Sequence, residues 1–291
     1  MKMKVYLTEY IHEKALQKLN NYFEVVDEAK ICDAVITRNI TIDKEWMNSA
    51  PNLKIIAIHG TGTDSVDLDE AKKRGISYFN VPNENSLSVA ELNVSLILEL
   101  SRNIQNGVNH ILSGDKELAP RYLSGYEISG KTVGFIGLGQ IALKTAEILY
   151  KGFNMKILGY SRSKKNIDYI QEVELDNLLK DSDYVVLGLA LNSETKYLLN
   201  YDKLSLMKKN SFLINTARGG LVNKEDLIKV LEEKRILGYA ADVFEIEPIN
   251  ENDPLLKHNV IALPHIGANT DEALYRVGIR CVDNLIDYFK L

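Results

Sequence analysis

The sequence predicts an α/β protein with two domains, each built on a doubly wound parallel sheet. A chain of 291 residues is long enough for two domains of ordinary size. Short apolar runs alternate with helical patterns along the whole chain, as they do in sheets whose strands are connected by helices. One stretch, KTVGFIGLGQIA at residues 131–142, reads as a strand, a glycine turn and a helix.

The first part of the chain predicts five short strands, followed by a long apolar helix over residues 88–104 that is expected to be buried. The strands are expected at residues 4–7, 23–26, 34–37, 53–58 and 76–79. Helical patterns lie between them at residues 12–19, 44–49 and 68–74.

The second part predicts six strands and a last helix over residues 268–290. These strands are expected at residues 133–136, 156–161, 184–189, 211–217, 238–243 and 260–264. Six is the strand number of a doubly wound dinucleotide-binding sheet.

The glycine turn after the strand at 133–136 is typical of a dinucleotide site. Gly137 allows a sharp turn, Gly139 lets a diphosphate approach the backbone, and the small Ala142 lets the helix pack closely on the strand. The N-terminus of the helix offers unpaired N–H groups and the positive end of its dipole. Glycines also occur in ordinary turns, but the flanking strand and helix favour the dinucleotide interpretation.

A second glycine turn, His59 to Asp64, follows the strand at 53–58. The N–H groups of Thr61 and Gly62 are suited to holding a small anion at the end of a parallel strand. A tight turn without a ligand is an equally good interpretation, in which Asp64 and Asp67 cap the next helix.

Three polar residues, Arg218, Glu247 and His265, follow successive strands of the second predicted sheet. Each alone has an ordinary structural explanation. Because strand ends on the same side of a parallel sheet converge, the three together predict chemistry beside the nucleotide.

The composition narrows the class of protein. A formal charge of −5 gives no electrostatic reason to expect nucleic-acid binding. No apolar run is long enough to span a bilayer, and the N-terminus does not read as a signal peptide, so we expect a cytoplasmic protein. The two cysteines, Cys32 and Cys281, have no metal or redox spacing; we expect reduced buried thiols and no metal site.

Four ordered motifs resemble those of the D-isomer-specific 2-hydroxyacid dehydrogenases, which include phosphoglycerate dehydrogenases and glyoxylate and hydroxypyruvate reductases. The motifs are GLGQIA at 137–142, NTARG at 215–219, DVFEIEP at 242–248 and PHIGA at 264–268. The resemblance covers nearly the whole chain, since GTGTD at 60–64 and VAE at 89–91 also fit. It implies a flavodoxin-like substrate domain, residues 1–97 plus 270–291, and a Rossmann cofactor domain, residues 98–269.

The resemblance also implies roles in hydride transfer between a nicotinamide cofactor and a small D-2-hydroxy or 2-oxo acid. His265 would be the acid and base at the C2 oxygen, with Glu247 stabilising its imidazolium form, and Arg218 would hold the substrate carboxylate together with the Thr61 and Gly62 amides. The expected cofactor contacts are Gly137, Gly139, Gln140, Ile141, Ser161, Arg162, Ser163, Leu189, Ala190, Thr216, Ala217, Asp242 and Gly267. A homodimer is implied as well, with the 88–104 helix and the loop before Lys131 as candidate contacts.

Two departures from the pattern concern specificity. NAD-preferring members place an acid at the ribose about twenty residues after the glycine loop. Ser161 and Arg162 stand there instead, which favours NADP(H) and leaves NAD(H) open. Arg38 resembles a phosphate contact of phosphoglycerate dehydrogenases, but the arginine usual before their glycine turn is Ile58 or His59 here. Glyoxylate, hydroxypyruvate, pyruvate and 3-phosphohydroxypyruvate therefore all remain candidates.

Two other functions stay open. Relatives of this fold act as nucleotide-sensing binding proteins, which need none of Arg218, Glu247 and His265. Formate dehydrogenases resemble this family but carry a glutamine where Glu247 stands, because hydride transfer from formate needs no proton.

Overall fold

The structure, a computed structural model, describes residues 2–291. The chain divides into two compact units, Met1–Ser88 with Ala268–Leu291, and Val89–Gly267. We call them unit 1 and unit 2. The domain boundaries expected after residues 97 and 269 stay a prediction.

Strands and helices alternate along most of the chain. The strands are β1 (Lys4–Leu7), β2 (Glu24–Val26), β3 (Ala34–Thr37), β4 (Ile55–Ile58), β5 (Ser77–Asn80), β6 (Thr132–Ile136), β7 (Lys156–Tyr160), β8 (Ile170–Glu172), β9 (Tyr184–Leu187), β10 (Phe212–Asn215), β11 (Gly238–Ala241) and β12 (Val260–Ala262). The helices are α1 (Glu13–Tyr22), α2 (Lys44–Ser49), α3 (Leu68–Lys73), α4 (Ser86–Arg102), α5 (Ile104–Leu112), α6 (Gln140–Phe153), α7 (Leu175–Asp181), α8 (Tyr201–Leu204), α9 (Lys224–Glu232) and α10 (Asp271–Phe289).

Unit 1 is a five-stranded parallel sheet in the order β2-β1-β3-β4-β5, the order of flavodoxin-like folds. The five predicted strands are confirmed. Asp67 caps α3 by accepting a hydrogen bond from the Glu70 N–H group, as one of the two interpretations of the second glycine turn expects. Helix α10 packs against α1 and β4, and its buried residues Val277, Cys281, Val282 and Leu285 belong to the same core cluster as those of β1 and α1.

His59, directly after β4, is a buried residue of unit 1. The residue is 5% exposed, and its Nε2 has no hydrogen-bond partner among the described residues. Burial, with a contribution from the positive charge of Arg38, lowers the pKa of His59 to about 4. His59 is therefore neutral near pH 7.

Unit 2 is a seven-stranded parallel sheet in the order β12-β11-β10-β9-β6-β7-β8. Numbered from β6, this is the doubly wound order 3-2-1-4-5-6 with one strand added at the far edge. The predicted number of six strands is wrong, because β8 was not expected. β8 has only three residues and is too short to show a periodicity.

The predicted helix over residues 88–104 is also wrong in extent. α4 runs from Ser86 to Arg102, and Asn103 then adopts a left-handed conformation with φ 52° that ends it. Ile104 starts a separate helix, α5. No proline or glycine marks this break, and the apolar pattern runs across it.

Candidate active site

The residues expected to bind the cofactor all follow strands of the unit 2 sheet at one edge. Because the strands are parallel, their carboxyl ends lie side by side in the order β7, β6, β9, β10, β11, β12. The segments after these strands carry Ser161–Ser163, Gly137–Ile141, Leu189 and Ala190, Thr216–Arg218, Asp242, and His265 with Gly267, respectively. The structure therefore brings these segments to one edge, although residues 137 and 267 are far apart in sequence.

The glycine turn after β6 has the shape that a diphosphate requires. Gly137 has φ 97°, and a Cβ there would lie 2.6 Å from the Gly188 carbonyl oxygen, so only glycine fits. A Cβ at Gly139 would meet just one atom within 4 Å, at 3.7 Å, so the space beside Gly139 is open. Gly139 is the N-cap of α6 and offers no capping side chain.

The first turn of α6 supplies the donors for this site. The hydrogen bond from the Leu143 N–H group to Gly139 O, at 2.9 Å, leaves the N–H groups of residues 140–142 without an intrahelical partner. These amides, the helix dipole and the open face of Gly139 fit a nucleotide diphosphate. Ala142 is buried, as expected for the helix face that packs on the sheet.

The segment after β7 combines hydroxyl and charged groups. The Ser161 hydroxyl donates to the Ser163 carbonyl oxygen at 2.7 Å. Arg162 lies with Nη1 3.4 Å from the Glu194 carboxylate, and both side chains are largely exposed. Such an exposed ion pair has little effect on stability.

His265 and Glu247 form a hydrogen-bonded pair. His265 Nδ1 lies 2.8 Å from Glu247 Oε2, and Glu247 Oε1 accepts a hydrogen bond of 2.9 Å from the Phe244 N–H group. Burial raises the pKa of Glu247, but the His265 and Phe244 hydrogen bonds and the charges of His265 and Arg218 outweigh it, so the pKa is lowered. Glu247 is thus an anion that holds the imidazole through Nδ1.

The buried carboxylate of Asp242 holds the turn that follows His265. Its two oxygens accept hydrogen bonds of 2.7 Å from the N–H groups of Ile266 and Gly267. A Cβ at Gly267 would lie 2.8 Å from Asp242 Oδ2, so a larger residue would displace this carboxylate. Burial raises the pKa of Asp242 despite these bonds. His265 itself has a left-handed backbone with φ 56°, which the Asp242 bonds help to maintain.

Arg218 lies in a segment that its neighbours fix closely. Asn215 accepts from the Ala217 N–H group at 3.1 Å and donates to the Arg218 carbonyl at 2.9 Å. A Cβ at Gly219 would lie 2.0 Å from the Phe244 carbonyl carbon, so this segment packs directly on the backbone that precedes Glu247. The charge of Arg218 is also one of those that lower the pKa of Glu247.

In unit 1, Thr61 and Gly62 follow β4. The Thr61 carbonyl accepts from Asn80 at 2.7 Å, and its hydroxyl donates to Asn85 at 3.1 Å. Within residues 2–291, no acceptor is found for the N–H groups of these two residues. They are therefore available to an anion.

Sequence reasoning missed three residues that support this arrangement: Asn93, Asn215 and Gly219. Asn215 and Gly219 lie in a recognised motif, but their roles depend on contacts with the backbone of other segments. Asn93 gives only a weak signal in the sequence, as a polar residue within an apolar helix. The structure shows that Asn93 is 1% exposed.

Within the part of the chain that the structure describes, no group of three or more His, Cys, Asp or Glu residues is placed to bind a metal ion. In the same residues, no helix is both long and apolar enough to cross a bilayer.

The strand order, the glycine turn and the acid–base pair at the same edge define a nicotinamide-nucleotide oxidoreductase. Comparison with known proteins gives the family. Residues 94–267 match the sequence profile described as "D-isomer specific 2-hydroxyacid dehydrogenase, NAD binding domain".

Similar proteins cover the whole chain. It is 40% identical to a glyoxylate reductase of Thermofilum pendens, over 99% of this chain and 91% of that protein. Its structure is similar to that of D-lactate dehydrogenase from Aquifex aeolicus with NAD and lactic acid, with a TM-score of 0.85, 27% identity, and coverage of 99% and 95%. An acyclic imino acid reductase with NADPH and D-Arg is similar too, with a TM-score of 0.86, 29% identity, and coverage of 99% and 97%.

The chain belongs to the D-isomer specific 2-hydroxyacid dehydrogenase family. It is an oxidoreductase that transfers hydride between a nicotinamide cofactor and 2-hydroxy or 2-oxo acids. The resemblance stated from the sequence and the predicted pair of α/β parallel-sheet domains are both confirmed.

We expect Gly139→Val to weaken the binding of NADPH and NADH by about 100-fold, because its side chain occupies the open space that the diphosphate needs. The melting temperature should stay close to that of the wild type, since the protein leaves room there. Cofactor fluorescence titration measures the first quantity and thermal unfolding the second.

Gly152→Val is the matched control, because Gly152 lies on the same helix with no heavy atom within 4 Å of its added Cβ. Equal cofactor affinity in both variants would contradict the diphosphate site.

Proposed function

We propose that the enzyme works as a reductase of small, unphosphorylated 2-oxo acids, with NADP(H) as its preferred cofactor. The observation that carries the proposed reductase activity is the hydrogen bond of 2.8 Å between His265 Nδ1 and Glu247 Oε2. The cofactor, when bound, supplies or accepts a hydride, and the protein must deliver or remove the accompanying proton.

His265 is the residue that carries that proton. In reduction its Nε2 donates a proton to the C2 oxygen of the 2-oxo acid as C2 receives the hydride, and in oxidation the same nitrogen takes the proton back. Glu247 is ionised and bonded to Nδ1, so it fixes the ring orientation and stabilises the imidazolium form.

Arg218 binds the substrate carboxylate. Its planar guanidinium forms charge-assisted hydrogen bonds that fix the orientation of the acid better than a lysine would. The free N–H groups of Thr61 and Gly62 in unit 1 are proposed as further carboxylate donors. The carboxylate is the group that all 2-oxo acids share, so these contacts define the substrate class.

The cofactor contacts are proposed along the carboxyl edge of the sheet. The glycine-turn residues Gly137, Gly139, Gln140 and Ile141 hold the diphosphate. Leu189 and Ala190 line the adenine side. Thr216, Ala217, Asp242 and Gly267 lie toward the nicotinamide.

The acid–base pair argues against the two alternative functions. A protein that only senses a nucleotide needs neither Glu247 nor His265, and oxidation of formate releases no proton for a base to remove. An ionised glutamate hydrogen-bonded to a histidine is instead suited to proton-coupled hydride transfer.

An unphosphorylated substrate is supported by His59. Phosphate recognition usually requires more than one cationic side chain, and this chain has Ile58 or His59 where the resembling phosphoglycerate dehydrogenases have an arginine. Because His59 is buried, with its pKa lowered to about 4, it offers no positive charge. Arg38 alone remains, and its Nη1 contacts Asn269 Oδ1 at 3.4 Å. The similarity to a glyoxylate reductase favours glyoxylate among the small acids.

The preference for NADP(H) rests on the segment after β7. Ser161 stands where an acid would repel a 2′-phosphate, and the exposed Arg162 guanidinium can pair with one. Glu194, 3.4 Å from Arg162, acts in the opposite direction, because its carboxylate competes with the phosphate. One similar enzyme was solved with NADPH and another with NAD, so fold similarity alone does not decide between them.

A homodimer is proposed through an exposed apolar surface on α5 and the loop after it. The apolar residues of α4 are largely buried within the chain, so they leave little for a partner. The exposed side chains, which we call the α5 surface, are Ile104, Val108, Ile111, Leu112, Leu118 and Tyr122, with Leu112 78% and Leu118 92% exposed. Exposed large apolar side chains concentrated in one segment favour a protein interface, and a second copy offers the same segment in return.

We also propose a cytoplasmic location. Cys32 and Cys281 are buried free thiols, which suit a reducing compartment.

We expect His265→Ala to lower kcat for glyoxylate reduction by roughly two to four orders of magnitude, because the proton donor is lost. The dissociation constant of NADPH should change less than about twofold, since the imidazole is not a cofactor contact. Steady-state kinetics and fluorescence titration provide the two values.

His258→Ala is the control, because it also removes an imidazole but at a residue with no proposed role. His258 lies at the end of the short helix Pro254–Lys257, which precedes β12. Turnover by His265→Ala at the level of this control would overturn the role of His265.

The wild type should have a higher kcat/KM with NADPH than with NADH. Arg162→Ala should reduce kcat/KM with NADPH about tenfold, because one ion pair with the 2′-phosphate is lost. It should leave kcat/KM with NADH nearly unchanged. Glu194→Gln should raise the NADPH value. A wild-type preference for NADH, or equal losses with both cofactors in Arg162→Ala, would refute this assignment.

Light scattering should give the wild type twice the chain mass of 32.8 kDa. Ile111→Asp with Leu112→Asp should give a monomer, because two charges on the α5 surface cannot be buried unpaired. Ile40→Asp, at an exposed apolar residue of unit 1, should remain dimeric. A monomeric wild type, or a dimeric double variant, would rule out this interface.

A further inference from the structure

Asn93 is an unusual residue for its place in the fold. It lies on the part of α4 that belongs to unit 2, and residues 96, 97 and 100 on the same side of the helix are members of a buried apolar cluster. An apolar side chain could fill this position and would need no hydrogen-bond partner, unlike the Asn93 amide. Burying an amide there requires hydrogen-bond partners that offset its desolvation.

Both ends of the Asn93 amide have such partners. Its Oδ1 accepts a hydrogen bond of 2.8 Å from the Thr216 hydroxyl, and its Nδ2 donates to the Thr145 hydroxyl at 3.2 Å. The Thr145 hydroxyl in turn donates to the Ile141 carbonyl at 2.9 Å. All three side chains are buried. The network therefore joins α4, the cofactor helix α6 and the segment after β10.

The Thr216 bond acts on the segment that presents Arg218. Asn215 fixes residues 217 and 218 through their backbone groups, and Asn93 fixes Thr216 through its side chain. Thr216 lies two residues before Arg218, and Arg218 Nη1 donates a hydrogen bond of 2.6 Å to the Ala217 carbonyl oxygen. The backbone that Thr216 anchors therefore helps to set the guanidinium. A misplaced guanidinium loses the oriented hydrogen bonds that make arginine effective for carboxylates.

We propose that Asn93 is a positioning residue, which holds Thr216 and thereby sets Arg218 for the substrate carboxylate. This role rests on the proposed function, since it assumes that Arg218 binds that carboxylate. It predicts that loss of the Asn93–Thr216 bond weakens carboxylate binding more than it weakens cofactor binding.

The test uses oxamate, an unreactive analogue of a 2-oxo acid, as a competitive inhibitor of the full-length enzyme. Asn93→Leu, which keeps similar volume, should raise the inhibition constant of oxamate about tenfold. The dissociation constant of NADPH should rise by a clearly smaller factor, because Thr216 is one of many proposed cofactor contacts. Thr216→Val should raise the oxamate constant similarly. The double variant should be no worse than either single variant, because both remove the same bond.

Thr145→Val is the matched control. It breaks the other half of the network and should lower the melting temperature, as Asn93→Leu does, yet it leaves the Thr216 bond in place. Its oxamate constant should therefore stay within about twofold of the wild type.

Two results would overturn the proposal. If Asn93→Leu lowers the melting temperature but leaves the oxamate constant unchanged, Asn93 has a structural role only. If Asn93→Leu and Thr216→Val have additive effects, they do not act through one bond. A wild type that neither reduces 2-oxo acids nor responds to oxamate would contradict the proposed function itself, and with it this role.

Discussion

The parallel arrangement of the unit 2 strands is the constraint on which the active site depends. Every strand ends at the same edge, so six separate segments, each following its own strand, share one line. The glycine turn after β6, an interior strand of the sheet, is the proposed site of the cofactor diphosphate. The segments after β10, β11 and β12, on one side of it, then carry Arg218, Glu247 and His265. The register of the parallel strands brings these three residues to the same edge of the sheet, although they are far apart in sequence.

Strand ends alone place backbone to within a few ångströms, and catalysis needs finer placement. Short hydrogen bonds within unit 2 provide it. Asp242 holds the turn after His265, Asn215 holds the Arg218 segment, and the Phe244 N–H group holds Glu247. Because residue 219 is glycine, the segment that carries Arg218 packs directly on the backbone that precedes Glu247. The positions of Arg218 and Glu247 are therefore coupled.

Much of this arrangement could be predicted from the sequence, because its signals are local. Gly137 and the polar residues that directly follow apolar strands each mark the end of a strand, where site residues of a parallel sheet lie. β8 was missed because three residues show no pattern, and the break at Asn103 was missed because an asparagine in a left-handed conformation leaves no distinct signal. Asn93 was missed for another reason: a single polar residue on an apolar helix can equally face solvent, and only the packed structure shows that it is buried.

The central claim is that Glu247 acts through His265 and not on the substrate itself. The most direct test is the pH dependence of kcat/KM for glyoxylate reduction in the wild type and in Glu247→Gln. Because glutamine has no charge to offset that of the imidazolium, the loss of activity with rising pH should begin at a lower pH in the variant. Equal activity losses at every pH, with the profile unmoved, would contradict the account.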